Sequence, residues 1–529
     1  MLDVGCFGLI EQNLAKAQPS RSNVLVSVIQ VSRRQHGLPS PATRAKPSPA
    51  APTRPARRLP ATAPHSSALD ERPPIRMTMK SVFIGLLIFA PVCFAAGLAE
   101  KLPQELAPSI ADAEIRAGVE AAVFKNILPA ATEQDYPGYF NICADGRAYG
   151  GATWPGLDSW QMAGAYLLLG RTRLVLDYFE FVRASQRKDG NIPFAIFTGD
   201  TKPGGCLRGL KSPQDIFTYQ PPKREGVPAS SQEMRKWIGL FEHWQTKGYP
   251  LGALGPVSYL LTGSEIFDAT KSVPWLKERL GSLEAAARYL LTLQNTNGLI
   301  GGSGFYVELP PREGCDGVTQ CYTIHAYREL AKLFRAAGDT AKADEWAVQA
   351  DKLTRTFIEA FWREDHFGEY FHPEHGLVDS HGLSDVNWAA VAFGVATGQK
   401  LELVWARLMK EPAFWLGGLP TQNVTKPFSY EKWEINVQPE CAGDALNDVA
   451  AMGRVWYLEA VACQRMKAYD RLVESARKVC RAAKADGYWR ERYHPKPDGT
   501  VSPDGAQKYC EYAAVLVRAV YGNRDIFWK

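Results

Sequence analysis

Helical stretches that come in pairs constrain this chain more than any other feature of its sequence. After residue 100, apolar residues recur at steps of three and four, which indicates amphipathic helices, and Gly-Asp or Asp-Gly pairs mark turns. The predicted stretches are Ala111–Phe124, Asp158–Leu169, Arg173–Gln186, Pro256–Thr262, Leu283–Gln294, Thr319–Ala337, Ala341–Phe361, Asp385–Thr397, Glu402–Met409, Asp444–Arg465, Tyr469–Ala485 and Ala506–Tyr521. Short turns separate the two helices of a pair, and longer irregular segments join the pairs.

Helical hairpins of this kind cannot bury their inner faces alone, so each must pack on its neighbours. The pattern therefore predicts an all-α fold, an (α/α)6 barrel of six hairpins that occupies residues 97–529. The long segments should gather on one rim and carry the functional residues. An open helical solenoid is the alternative, but it would need a more regular repeat.

The composition argues against several classes of protein. The chain has 529 residues, of which 46% are hydrophobic and 22% are charged, as is typical of a soluble globular protein. Much of the net charge of +5 comes from the first 76 residues, so we predict no nucleic-acid partner. The 14 Trp, 21 Tyr and 23 Phe could fill the core or cover the faces of sugars.

The amino-terminal residues read as two separate segments. Residues 1–78 are rich in Pro, Ala, Ser and Arg without any period, which predicts a disordered extension, and a start codon assigned too early is the simplest explanation for it. Residues 79–96 have the pattern of a signal peptide, with cleavage expected near Ala95 or Ala96. We therefore expect a secreted or periplasmic protein with no integral membrane span in the mature chain. A genuine extension or a transit peptide is the alternative.

Cysteine and histidine residues show no metal-binding pattern. Eight cysteines follow the signal segment, and none of them forms a Cys-x-x-Cys pair. Cys315 and Cys321 could form a disulfide, although buried free thiols are equally expected. We expect His366, His372, His375 and His381 to be exposed loop residues, and we predict neither a metal nor another cofactor.

Acidic and aromatic residues cluster in segments that directly precede predicted helices. The segment around Glu491 reads Tyr-Trp-Arg-Glu-Arg-Tyr-His-Pro, and Asp316 ends a segment that also holds Glu308, Arg312 and Glu313. Similar segments are Trp154–Trp160, Asp385–Trp388 and Tyr430–Asp444. Asp158 and Asp316 could each simply cap the helix that follows.

These segments, with their helical context, resemble those of the six-hairpin glycosidases over roughly residues 105–525. This superfamily includes trehalases, processing α-glucosidases, mannosylglycerate hydrolases and α-L-rhamnosidases. The resemblance implies a glycoside hydrolase with Glu491 as the general base. In the trehalase-like version of the acidic segment the general acid is Asp316, which we favour, and in the rhamnosidase-like version it is Glu313, with Glu308 and Arg312 beside it.

The same resemblance implies the substrate contacts. Asp158 is expected to contact sugar hydroxyls, with Trp154 or Trp160 replacing the usual aromatic neighbour because Leu157 stands in its place. The remaining candidates for substrate binding are Trp388, Trp433, Glu434 and Trp489. The expected partner is a carbohydrate substrate, and the sequence predicts no oligomeric state.

Glycoside cleavage needs two carboxyl groups, an acid that protonates the leaving oxygen and a base that activates water. Inversion, which the resemblance implies, places them roughly 6.5–9.5 Å apart to admit that water. A polysaccharide lyase using Tyr322 and His325, a sugar epimerase or a non-catalytic carbohydrate-binding protein are the alternatives on the same barrel.

Overall fold

The computed structural model describes most of the chain after residue 108. The described residues are 109–131, 138–145, 152–198, 216–219, 237–241, 252–302, 312–411, 415–416, 419–420, 430–431, 433–434, 450–496 and 500–528. The proposed extension and signal segment, residues 1–96, and the candidate Glu308 lie outside these ranges.

Twelve main helices follow one another in the described residues. They are α1 (Ala113–Ala121), α2 (Asp158–Leu168), α3 (Thr172–Arg183), α4 (Leu254–Thr270), α5 (Val273–Thr292), α6 (Gly317–Ala337), α7 (Thr340–Phe361), α8 (Asp385–Ala392), α9 (Gly398–Lys410), α10 (Gly453–Met466), α11 (Tyr469–Lys484) and α12 (Cys510–Tyr521). The first helix continues through a π-helical segment, Ala122–Ile127, and one further turn, Leu128–Ala130. A short helix, α13 (Arg524–Phe527), ends the chain.

The even-numbered helices form a closed inner ring. Helix α2 packs on α4, α4 on α6, α6 on α8, α8 on α10, α10 on α12, and α12 returns to α2. The odd-numbered helices lie outside this ring, and α1, although first in the chain, packs on α12 and α11 and completes the sixth hairpin. Helix α8 is buried along its whole length, as expected for an inner helix with neighbours on every side. The predicted (α/α)6 barrel is confirmed.

The ends of the hairpins show why the chain turns where it does. Between α6 and α7, Gly338 adopts a left-handed backbone with a φ of 91°, a conformation that glycine adopts without steric penalty. The side chain of Asp339 then accepts the N–H of Lys342 and caps α7. Ser272 caps α5 in the same way through the N–H of Trp275. Each cap occupies only one or two residues, so the two helices of a hairpin stay antiparallel neighbours.

Small antiparallel sheets lie between the hairpins. The strands are β1 (Ala195–Thr198), β2 (Ile216–Tyr219), β3 (Trp237–Leu240), β4 (Cys315–Asp316), β5 (Tyr370–His372), β6 (Gly376–Val378), β7 (Trp415–Leu416), β8 (Leu419–Pro420), β9 (Ala451–Met452), β10 (Arg490–Pro495) and β11 (Val501–Gln507). Strand β3 lies between β1 and β2, β5 between β4 and β6, and β10 between β9 and β11. Two of these sheets hold predicted site segments, because β4 leads into α6 and β10 contains Glu491.

The structure corrects one sequence prediction about local structure and decides between the two alternatives for Cys315 and Cys321. The last helix begins at Cys510 rather than Ala506, because Val501–Gln507 forms a strand that pairs with β10. Cys315 and Cys321 are both buried free thiols and form no disulfide. Within the described residues, no helix is both long and apolar enough to cross a bilayer.

One glycine in an inner helix and one in an outer helix provide a test of the packing of the barrel. A Cβ on Gly453, at the start of α10, would lie 2.6 Å from the Cα of Tyr512 in α12, so Gly453→Ala should push two inner helices apart. We expect this variant to lose about 1–3 kcal/mol of unfolding free energy in urea titrations.

Gly281→Ala is the matched control. Gly281 is exposed in α5, and a Cβ at this position would have no other atom within 4 Å, so alanine should raise stability by about 0.5–1 kcal/mol. Equal effects of the two substitutions would contradict the close packing of α10 on α12.

Candidate active site

The amino-terminal ends of the inner helices meet on one rim of the barrel. Asp158 is the first residue of α2, Asp316 caps α6, and Asp385 is the first residue of α8. Arg454 and Glu511 are the second residues of α10 and α12. The positive end of a helix dipole stabilises anionic groups, so this rim suits a concentration of carboxylates.

One group of residues on this rim surrounds a buried arginine. Arg312 donates from Nε to Glu369 Oε1 at 2.7 Å, and its NH1 donates to Asp316 Oδ1 at 2.9 Å and to Asp385 Oδ1 at 3.0 Å. His381 forms two hydrogen bonds with carboxylates: its Nδ1 lies 2.7 Å from Glu369 Oε2, and its Nε2 lies 3.0 Å from Glu434 Oε2. We call this group the Arg312 cluster; its members are Arg312, Asp316, Glu369, His381, Asp385 and Glu434.

The charges in the Arg312 cluster shift the pKa values of its members in opposite directions. Burial alone would raise the pKa of Glu369, but Arg312 and His381 outweigh it and hold that pKa well below its ordinary value. Burial would lower the pKa of His381, and Glu369 and Glu434 instead raise it to about 10. Burial, with the charges of Asp316 and Glu369, raises the pKa of Asp385 to about 8, although Arg312 opposes this. Asp385 is therefore mostly protonated at neutral pH.

Asp316, the favoured acid candidate, is fully buried and both of its oxygens accept hydrogen bonds. Oδ1 accepts from Arg312, and Oδ2 accepts from the N–H of Thr319 at 2.7 Å and from its hydroxyl at 2.8 Å. Asp316 thus caps α6, the structural role that the sequence also allowed.

Glu313, the other acid candidate, has a different environment. Its side chain is 20% exposed, and its Oε2 lies 3.7 Å from His372 Nε2. Its Oε1 is buried and makes no hydrogen bond to any other described residue. The His372 ring lies against Trp433, which also stacks on His375 at 4.1 Å between ring centroids. Glu313 therefore has one buried oxygen without a hydrogen bond to a described residue, and its other oxygen lies near a half-buried aromatic surface.

A second group, the Arg454 cluster, consists of Asp158, Arg454, Glu491, Tyr509 and Glu511. Tyr509 donates its hydroxyl to Asp158 Oδ1 at 2.6 Å, and Arg454 Nε lies 3.1 Å from Glu511. Burial raises the pKa of Asp158, and the charge of Glu491 adds to this, while Arg454 and Tyr509 oppose it. Burial also raises the pKa of Glu511, with Asp158 and Glu491 contributing.

Glu491 is held in place by the hairpin that contains it. It lies on β10, is 7% exposed, and its Oε2 accepts the N–H of Ala506 at 2.8 Å, while Arg492 donates to Oε1 at 3.0 Å. Gly505 has a φ of 69°, and a Cβ there would lie 2.5 Å from Glu491 Oε2, so only glycine leaves room for this carboxylate. The predicted base therefore has a fixed orientation.

Three of the tryptophans predicted to bind substrate are buried among the helices. Trp160 donates to Glu265 at 2.9 Å, and Trp489 donates to the Gly118 carbonyl at 3.1 Å. Trp388 packs against Trp405 and beneath the guanidinium of Arg471. These contacts show that the three rings pack inside the protein. A role in substrate binding stays a prediction for each of them. Trp433 is only half-buried, and Glu434 beside it accepts hydrogen bonds from Tyr370 and His381.

The predicted exposure of the histidines is wrong at three positions, since His366 is half-buried and two others are buried. His381 is completely buried between two carboxylates, and His372 is buried beside Glu313, whereas His375 is exposed as expected. Tyr322 and His325, the lyase candidates, both pack on Phe393 inside the barrel.

Sequence reasoning assigned no role to Glu369, Asp385, Arg454, Tyr509, Glu511 or Asn126. Asn126 lies in the π-helical segment and bonds to the backbone of Trp489 and Tyr509, so it holds together the two ends of the hairpin that carries Glu491. Leu157, directly before the predicted site residue Asp158, has a φ of 103°, a strained conformation for leucine.

Comparison with known proteins supports the predicted class. Residues 306–509, less than half of the chain, match the family model of the mannosylglycerate hydrolase MGH1-like glycoside hydrolase domain. The match includes both acid candidates, the Arg312 cluster and Glu491, but not Asp158. No curated protein matches the sequence significantly.

Solved structures show the same fold at low sequence identity. The GH78 family rhamnosidase of Bacillus sp. GL1 aligns with a TM-score of 0.51 and 15% identity over 78% of this chain and 35% of that one. The rhamnosidase from Klebsiella oxytoca aligns with a TM-score of 0.52 and 12% identity over 80% of this chain and 66% of that one. This chain thus spans about a third and about two thirds of their lengths.

A GH63 mannosylglycerate hydrolase from Thermus thermophilus aligns with a TM-score of 0.49, at 15% identity over 73% of this chain and 96% of that chain. The two rhamnosidase alignments show that this chain shares the fold of those enzymes, and residues 306–509 are similar to an MGH1-like glycoside hydrolase domain. The predicted resemblance is confirmed at this level.

The protonated state of Asp385 predicts how stability depends on pH. An unfolded aspartate loses its proton near pH 3.8, whereas Asp385 in the fold retains it to about pH 8. Between these two pH values the folded chain holds one more proton than the unfolded chain. The contribution of Asp385 to the unfolding free energy therefore falls as pH rises, by up to about 1.4 kcal/mol per pH unit. Asp385→Asn should flatten the decline in stability between pH 5 and 8, measured by urea denaturation.

Asp344→Asn is the control for this prediction, because Asp344 is an exposed residue of α7 with 76% of its side chain accessible. Its pH profile should match that of the unmodified protein. An Asp385→Asn profile that is equally steep would show that Asp385 does not hold a proton in the fold.

Proposed function

We propose that this protein is a glycoside hydrolase that cleaves an O-glycosidic bond with inversion, using Glu313 as the general acid and Glu491 as the general base. The observation that carries the proposal is the contrast between these carboxylates within the matched glycoside hydrolase residues. Glu313 has an oxygen with no hydrogen bond to a described residue, and Glu491 is oriented by donors to both oxygens.

The acid must hold a proton and deliver it to the leaving oxygen, which requires an oxygen that is not already bonded within the protein. Asp316 does not meet this requirement, since three donors occupy its two oxygens. Glu313 does meet it, and Arg312, its neighbour in the chain, anchors the backbone beside it. Asp316 accordingly acts as a positioning residue that starts α6 and holds Arg312.

The base must aim one carboxylate oxygen at a water molecule on the opposite face of the sugar. The Ala506 amide and Arg492 hold the Glu491 carboxylate in one orientation, and Gly505 leaves the space for it. Asp158, whose pKa is raised by burial and by Glu491, is proposed to bond a sugar hydroxyl on this side. Trp433 supplies an aromatic face on the acid side.

The sugar is proposed from the family and from the solved structures of similar fold. A mannosylglycerate hydrolase domain model and rhamnosidase structures make mannosides and rhamnosides the first substrates to test. We also propose that the protein is exported, on the basis of the segment at residues 79–96. Amino-terminal sequencing of the secreted protein should find a mature chain that starts close to residue 96 or 97.

Leaving-group chemistry separates the acid from the base. Glu313→Gln should lower kcat/KM by about 100- to 10,000-fold on an alkyl glycoside, because that leaving group must be protonated. The same variant should retain most of its activity on a dinitrophenyl glycoside, which departs without protonation. Initial rates on the two substrates measure this contrast.

Glu491→Gln and Asp316→Asn are the comparison variants. Glu491→Gln should lose activity on both substrates, since water activation is needed in either case, and Asp316→Asn should also affect both because it disturbs Arg312 and α6. If the dinitrophenyl glycoside restored Asp316→Asn but not Glu313→Gln, the acid would be Asp316.

The stereochemistry of the product tests the mechanism itself. Proton NMR of the first sugar released should show the anomer opposite to that of the substrate. An unsaturated product absorbing in the ultraviolet would indicate a lyase, and binding without turnover of any glycoside in the panel would indicate a non-catalytic protein.

A further inference from the structure

The turn between β5 and β6 fixes the tautomer of His372. Its Nδ1 accepts the backbone N–H groups of Glu374 and His375, both at 3.1 Å. A ring nitrogen that accepts two N–H groups cannot itself carry a proton, so the proton of the neutral ring lies on Nε2. The backbone of this tight turn therefore fixes Nε2 as the nitrogen that donates.

The donor nitrogen of the ring lies near Glu313. His372 Nε2 lies 3.7 Å from Glu313 Oε2, and Glu313 Oε1 has no hydrogen bond to any described residue. The two oxygens of this carboxyl group are thus inequivalent. An N–H beside Oε2 favours the form in which Oε2 is the acceptor and Oε1 carries the proton.

The surroundings of His372 keep its ring uncharged. The ring is buried and faces His375 and Trp433, with Glu313 and Glu374 as the nearby carboxylates. Burial lowers the pKa of His372 and the charge of His375 adds to this, while the two carboxylates oppose it. A second proton would also have to enter at Nδ1, against two backbone N–H groups.

We propose that His372 is a positioning residue that acts through Glu313: its Nε2–H lies beside Oε2 and leaves the transferable proton on Oε1. The inference rests on the proposed glycoside hydrolase function. In the reaction the Oε1–H bond breaks as the leaving oxygen takes the proton, and the glycosidic bond breaks as water adds at the anomeric carbon and gives a proton to Glu491. His372 stays neutral throughout.

Two substitutions separate the two nitrogens of the ring. The Asn side chain reaches the position of Nδ1 and can accept the turn amides as an Asx turn, but it has nothing at Nε2. The Gln side chain places an amide N–H near the position of Nε2. His372→Asn should therefore remove the donor to Glu313 and keep the turn, whereas His372→Gln should keep the donor.

We expect His372→Asn to lower kcat by about tenfold on an alkyl glycoside, with little change on a dinitrophenyl glycoside and an unchanged KM. His372→Gln should recover most of the activity. His366→Gln, which changes a histidine that pairs with Asp365 and Asp379 outside the site, should match the unmodified protein.

Equal losses on both substrates, or equal losses in the Asn and Gln variants, would overturn the inference, because they would indicate only a folding role for the turn. An unaltered His372→Asn enzyme would overturn it as well. These results differ from a failure of the proposed function, in which the unmodified protein cleaves no glycoside or Glu313→Gln lacks the leaving-group contrast.

Discussion

Much of the acid side of this rim depends on the burial of one guanidinium group. Arg312 is 2% exposed, and removing such a charge from water is unfavourable unless well-placed partners replace the solvent. Its partners come from three different elements: Asp316 starts α6, Glu369 precedes β5, and Asp385 starts α8. The arginine thereby fixes two neighbouring inner helices and the central strand of a sheet relative to one another.

The cluster also extends to the aromatic surface of the site. Glu369 binds His381, and His381 in turn binds Glu434, which also accepts the hydroxyl of Tyr370. Glu434 directly follows Trp433, so a buried series of ion pairs connects the position of this ring to the start of α6. Fixed partial charges around a preformed site do not have to reorganise during the reaction, which is the physical advantage of such an arrangement.

The sequence predicted the barrel well because helical period and turn residues are local signals. The hairpin of α6 and α7 was predicted to within two residues, with its turn at Gly338 and Asp339. The charge clusters were not predictable in this way, since Arg312 meets Glu369 and Asp385 from 57 and 73 positions away. The same limit explains the error at His381, whose burial depends on two distant carboxylates. The last two residues of the strand Val501–Gln507 were assigned to the following helix, because the strand's hairpin partner, β10, lies outside the window of a helical pattern.

The proposed acid and the proposed base need different electrostatic environments. A base works as an anion, so fixed donors to Glu491 from Ala506 and Arg492 suit the role proposed for this residue. An acid must keep a proton, and the same donors would compete with that proton for the oxygen lone pairs. Asp316 has the environment that suits a base, because several donors bind its oxygens. Glu313 has the environment that suits an acid. One N–H lies near its Oε2, and no described residue donates to its Oε1. The sequence placed both carboxylates in one segment; the hydrogen bonds around them distinguish the residue that caps a helix from the one that we propose as the acid.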